Sequence, residues 1–125
     1  AYVKAAGAAA EGVIFPAGRL LVAESLPDAN PQKKLLVDYK RTYEARYKED
    51  VSTFGGHAYD AFLLLEAGLK AGGTNKQKAR DAIESVKGLA GTAGVFNLSA
   101  TDHCGLTPDA FEMLVVKDGK FQVLK

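Results

Sequence analysis

Hydrophobic and polar positions divide the chain into helical and extended stretches, and one stretch dominates the rest. From Val51 to Gly73 runs the longest apolar block, VSTFGGHAYDAFLLLEAGLKAGG. Between Tyr59 and Leu65 apolar side chains fall almost all the way round a helical turn, so this helix is expected to be covered on most sides. Asp60, Glu66 and Lys70 remain as a narrow wet stripe, the last two at the favourable i, i+4 spacing. Gly72-Gly73 supplies a stop.

A second helix is predicted from Asn30-Pro31, because the Asn side chain accepts from the first free N–H groups and Pro is tolerated at the first helical position. Leu35, Leu36, Tyr39, Tyr43 and Tyr47 then share one face, with Lys and Arg on the other. The tyrosines have the spacing of a stacking platform for bases or sugars, but such a stripe on an amphipathic helix is ordinarily core with hydroxyls at the rim. A third helix is expected from the Thr74 and Gln77 capping box, with Ala79, Ala82, Ile83 and Val86 on its apolar face and Gly88 closing it. Tyr2 to Ala10, rich in Ala, reads as the last turns of a further helix stopped by Gly12.

Extended segments are fewer. Val13-Ile14-Phe15 is an unbroken apolar run suited to a strand buried on both faces, interrupted by Pro16 and Gly18. Arg19 to Leu26 fits either an extended connection or a short helical turn. Leu89 to Gly94 reads as a loop, Val95-Phe96 as the start of a short strand, and Ser99 to Asp109 as turns. Phe111 to Leu124 reads as a β-hairpin closed by Asp118-Gly119, a pair suited to two positive φ values. The order of helix, strand, three helices, strand and hairpin defines an α/β protein with helices layered on a sheet. The strands are too few to bury the central helix, which points to a piece of a larger α/β protein.

Composition narrows the partners. The 125 residues are 47% hydrophobic and 25% charged, ordinary for a globular domain, and a net charge of +1 scattered along the chain leaves no electrostatic footprint for nucleic acid. A single cysteine, Cys104, excludes an internal disulfide and a cysteine-based zinc site. No segment reaches the length of a membrane helix, and no signal peptide stands at the front.

Chemistry has few candidates. No phosphate loop, dinucleotide fingerprint, nucleophile elbow or metal motif is present, so no cofactor or metal is expected. Asp102-His103-Cys104 invites a nucleophile and base reading, yet neighbours in an extended segment point to opposite sides, and a turn is the simpler account. Phe54-Gly55-Gly56-His57 offers an aromatic ring, two small residues and an imidazole at a helix start. Glycines there let a ligand carboxylate approach unpaired backbone N–H groups. Phe54 is either a wall of that pocket or a residue packing on its own helix; His57 is either a ligand contact or a histidine hydrogen-bonded near the helix start.

Taken together, EGVIFPAG, FGGHAYDAFLLLEAGLKAGG and GVFNLSATDHCGLTPDAFEMLVVKDGKF resemble the substrate-binding protein of a branched-chain amino acid type ABC transporter. Essentially all of the chain takes part, as roughly the C-terminal third of such a protein. The resemblance implies the two-lobed periplasmic binding protein type I fold, with an amino acid or small carboxylate enclosed between the lobes. About 13–99 would be first-lobe elements, and about 1–12 and 100–125 second-lobe elements. Glu11 to Ala17 would cross into the first lobe and Asn97 to Leu106 would return. The family places a residue of the loop before GHAYDA against the ligand side chain, which matches Phe54 and, less closely, His57. Implied partners are the transporter permease and the remainder of the chain, or another copy, completing the sheets. A periplasmic location and a binding role without catalysis follow from the same resemblance. The alternatives are a ligand-sensing regulatory domain of the same fold and, on Cys104 with His103, an enzyme.

Overall fold

The computed structural model describes residues 2–124. Among the described residues there are four α-helices: α1 (Tyr2–Ala6), α2 (Lys33–Tyr47), α3 (Thr53–Gly72) and α4 (Lys76–Glu84). Two antiparallel sheets accompany them. One has the order β1-β4-β5, formed by β1 (Ile14–Gly18), β4 (Phe111–Lys117) and β5 (Lys120–Val123); the other pairs β2 (Leu89–Ala90) with β3 (Val95–Phe96). The fold is therefore mixed α/β.

The C-terminal hairpin forms as its alternation demands. Asp118 and Gly119 both take positive φ, 52° and 68°, and Glu11 accepts from both of their N–H groups. Leu114 and Val116 point to the covered face of the sheet and are fully buried, beside Phe15 and Phe121 with ring centroids 5.5 Å apart. The opposite face carries Ile14, Phe111 and Met113, all exposed.

Several expectations are corrected. Pro16 does not interrupt β1; the strand runs through it to Gly18, opposite Met113, because β1 lies at the sheet edge, where a missing donor is tolerated. Nor is this strand buried on both faces, since Ile14 is half exposed. Of the two alternatives for the next segment the helical one holds: Arg19–Ser25 is a 3₁₀ segment, and its Leu20 and Ala23, with Leu26 just after it, form a core cluster with Leu36 of α2. Asn30 does accept from the N–H of Gln32, but α2 itself begins at Lys33. The helix after Gly73 is capped by Asn75, which accepts from Lys78, while the Gln77 side chain turns to Asp81; the expected Thr74 box is not made. Leu89-Ala90, expected as loop, forms a two-residue strand against Val95-Phe96.

Helix α3 is the longest element. α4 packs on Gly68 and Gly72 of α3 through Ala79 and Ile83, and the Glu66–Lys70 pair closes at 2.7 Å. The expected covering is absent along one stripe: Phe62 is 72% exposed, and Leu65 and Leu69 are 46% exposed each. Asp60, expected on the wet stripe, is instead 2% exposed.

Replacing Gly119 by Val forces a β-branched side chain into positive φ, and a loss of about 1–2 kcal/mol in unfolding free energy is expected, read from urea midpoints. An unchanged midpoint would contradict the turn.

Candidate functional site

The start of α3 is built by close approach. Ser52, in extended conformation, caps the helix: its side chain accepts from the N–H of Gly55 at 3.2 Å and its carbonyl from Gly56 at 3.0 Å. Among the described residues the N–H groups of Thr53 and Phe54 have no acceptor, and at a helix N-terminus these donors favour negative charge. Gly56 is buried; a Cβ there would lie 2.6 Å from Thr92 Oγ1 and 2.9 Å from a methyl of Leu20, so only glycine lets this turn seat against both. A Cβ at Gly55 would lie 3.1 Å from the Tyr39 hydroxyl. Burial, reinforced by Tyr43 and Asp60, pushes the Tyr39 pKa above its ordinary value and keeps that hydroxyl protonated.

The structure places Phe54 and His57 inside the first turns of α3, not in a loop ahead of it. Three residues apart, they share one side of the helix, and both are exposed. At 86% exposure Phe54 is not packed as a staple among the described residues. His57 makes no side-chain hydrogen bond among them. The pair thus presents an apolar ring and an imidazole beside two open N–H donors, an arrangement suited to a ligand bearing a carboxylate and an apolar body.

Asp60 was missed as a structural acceptor. One of its carboxylate oxygens accepts from the Thr92 N–H, the other from the Thr92 hydroxyl at 3.0 Å and the Ala93 N–H at 2.8 Å. The signal was an acid in the middle of the most apolar stretch, one turn after Gly56 on the same buried side. Gln32, fully buried, donates to the Gly91 carbonyl at 2.8 Å and accepts from Arg19 at 2.9 Å. Nothing local in the sequence announces that contact.

The other candidates take structural roles. His103 Nε2 lies 3.0 Å from Glu84, whose carboxyl is held below its usual range first by the hydrogen bond from Arg80 and then by His103. Cys104 is exposed, and its N–H donates to Asp102. Backbone N–H groups of Gly105 and Cys104 hold the Asp102 carboxyl below the ordinary range. His103 is thus engaged with Glu84, and Asp102 closes the turn. The tyrosines form a ladder, with centroids 6.0 Å apart for Tyr39 and Tyr43, 4.8 Å for Tyr43 and Tyr47, and 5.1 Å for Tyr39 and Tyr59. Among the described residues no group of three His, Cys, Asp or Glu side chains is placed to hold a metal.

No protein-family model matches the sequence. No curated protein sequence matches it either. Solved structures do. A protein of Rhodopseudomonas palustris strain CGA009 is 34% identical, with a TM-score of 0.84 over 99% of this chain and 37% of that one. An extracellular ligand-binding receptor of R. palustris strain HaA2 is 32% identical, with a TM-score of 0.85 and the same coverage. An R. palustris ABC transporter solute-binding protein, solved with benzoate, is 25% identical, with a TM-score of 0.68 over 98% of this chain and 31% of that one. The fold is thus part of the periplasmic binding protein type I architecture. Over nearly its whole length the chain is similar to part of extracellular ligand-binding receptors of that architecture. It spans 37% of the length of the first two proteins named.

Replacing Asp60 by Ala strands three donors, two of them backbone N–H groups, and should lower stability by about 3 kcal/mol, measured by urea unfolding. A change within error would remove Asp60 from the account of how α3 is held.

Proposed function

We propose that the full-length protein is the solute-binding component of an ABC importer, exported to the periplasm, which encloses an amino acid or related small carboxylate between two lobes. The observation that carries this reading is the start of α3, where open N–H donors, the exposed Phe54 ring and the His57 imidazole share one side. The benzoate-bound relative supports an aromatic carboxylate as one member of the ligand class. In this reading residues 13–99 are first-lobe elements, and 1–12 and 100–125 belong to the second. β1 pairs with β4, so the three-stranded sheet straddles the junction. The exposed stripe of α3 and the exposed sheet face are covered by the remainder of the chain. Closure then shifts a population toward contacts that exist only when both lobes meet the ligand. The protein performs no catalysis; its product is a bound complex presented to the permease.

Two measurements test this. In the full-length protein, Phe54→Ala should weaken binding of benzoate or leucine, whichever binds, by about 1–3 kcal/mol in calorimetry, with thermal stability nearly intact. His57→Ala should cost less, because an exposed imidazole offers less apolar contact area than the Phe54 ring. Equal stability losses for both variants, alike for every ligand, would sink the pocket assignment.

The 125-residue chain by itself is expected to show no micromolar binding of leucine or an aromatic amino acid by calorimetry, because the second wall of the site is missing. Tight binding by this chain alone would contradict the two-lobe reading.

A further inference from the structure

Arg19 stands at the point where the three-stranded sheet ends and the helical part begins. It is the first residue after β1, and its side chain reaches in two directions. Nε donates to Glu112 of β4 at 2.8 Å, and Nη1 donates to Gln32, just ahead of α2, at 2.9 Å. The side chains of Arg19 and Glu112 are only 16% and 28% exposed, so the pair is partly withdrawn from solvent screening. From Gln32 the hydrogen bonds continue to the Gly91 carbonyl, through the Thr92 and Ala93 N–H groups, to Asp60 of α3. One uninterrupted polar path therefore joins β4 to the helix that carries Phe54 and His57.

We propose that Arg19 is a positioning residue that fixes the angle between the β1-β4-β5 sheet and the α2–α3 unit, and through it the direction in which Phe54 and His57 are presented. The inference rests on the two-lobe reading for its functional meaning, since the sheet then lies at the lobe junction. Its physical basis is the guanidinium itself. A planar fork with donors at fixed angles holds two acceptors on two different structural units, whereas an ammonium is a point charge without that geometry. Without the fork, the sheet and the helices remain joined by the backbone at Gly18-Arg19, by the return segment before β4, and by packing of β5 on the 3₁₀ segment. None of these specifies an angle as directly as two hydrogen bonds from one rigid group.

The test uses the full-length, ligand-free receptor with Cys104→Ser and spin labels on Lys48→Cys and Lys120→Cys, exposed positions at the end of α2 and on β5. The parent should give one narrow interlabel distance distribution. Glu112→Leu, which keeps the size and removes the acceptor, and Arg19→Lys, which keeps charge and removes the fork, should each widen that distribution about twofold or shift its centre. A lowered melting temperature with an unchanged distribution in both variants would show an ordinary stabilising ion pair and overturn the proposal. Because the measurement is made without ligand, its result stands apart from that of the importer reading, whose failure would appear as absent binding by the parent protein.

Discussion

A buried carboxylate decides where the longest helix sits. Asp60 has been taken out of water in the middle of an apolar helix, and such a charge is tolerated only when donors replace its hydration. The loop after β2 supplies them, two backbone N–H groups and a hydroxyl converging on the two oxygens. Because the donors come from a loop some thirty residues on, the bonds fix that loop and α3 together. Glycine at position 56 completes the seating one turn earlier, where Thr92 and Leu20 leave no room for a side chain. The orientation of the first helical turn, and with it the direction of Phe54 and His57, follows from these two constraints.

Elements whose cause is local were legible in the sequence. The hairpin was read from alternation and Asp-Gly chemistry, and both turn residues take the expected left-handed φ. The helices appear where periodicity put them, with starts displaced by a few residues because Asn75 out-competes Thr74 as a cap and α2 waits until Lys33. Pro16 was misread because a proline ends a central strand but not an edge strand, and edge position is a property of the whole sheet. Asp60 was misread for the same kind of reason: periodicity assigns a charged side chain to solvent, and only the arrival of residues 92 and 93 reverses that.

The candidate site was legible as chemistry but not as geometry. Phe54-Gly55-Gly56-His57 was singled out for small residues beside a ring and an imidazole, and those residues do lie at an open helix terminus. Their placement within the helix, and the contrast between buried Gly56 and exposed Phe54, come from the approach of Thr92 and Leu20, residues distant in sequence. The solved structures it resembles are much longer than this chain, which spans 37% of their length.

That open face has a colloidal consequence. Phe54, Phe62, Leu65 and Leu69 line one side of α3, and Ile14, Phe111 and Met113 line the bare side of the sheet. With a net charge of +1 there is almost no long-range repulsion to keep two such surfaces apart in solution. A preparation of these residues by themselves is therefore expected to self-associate as its concentration rises.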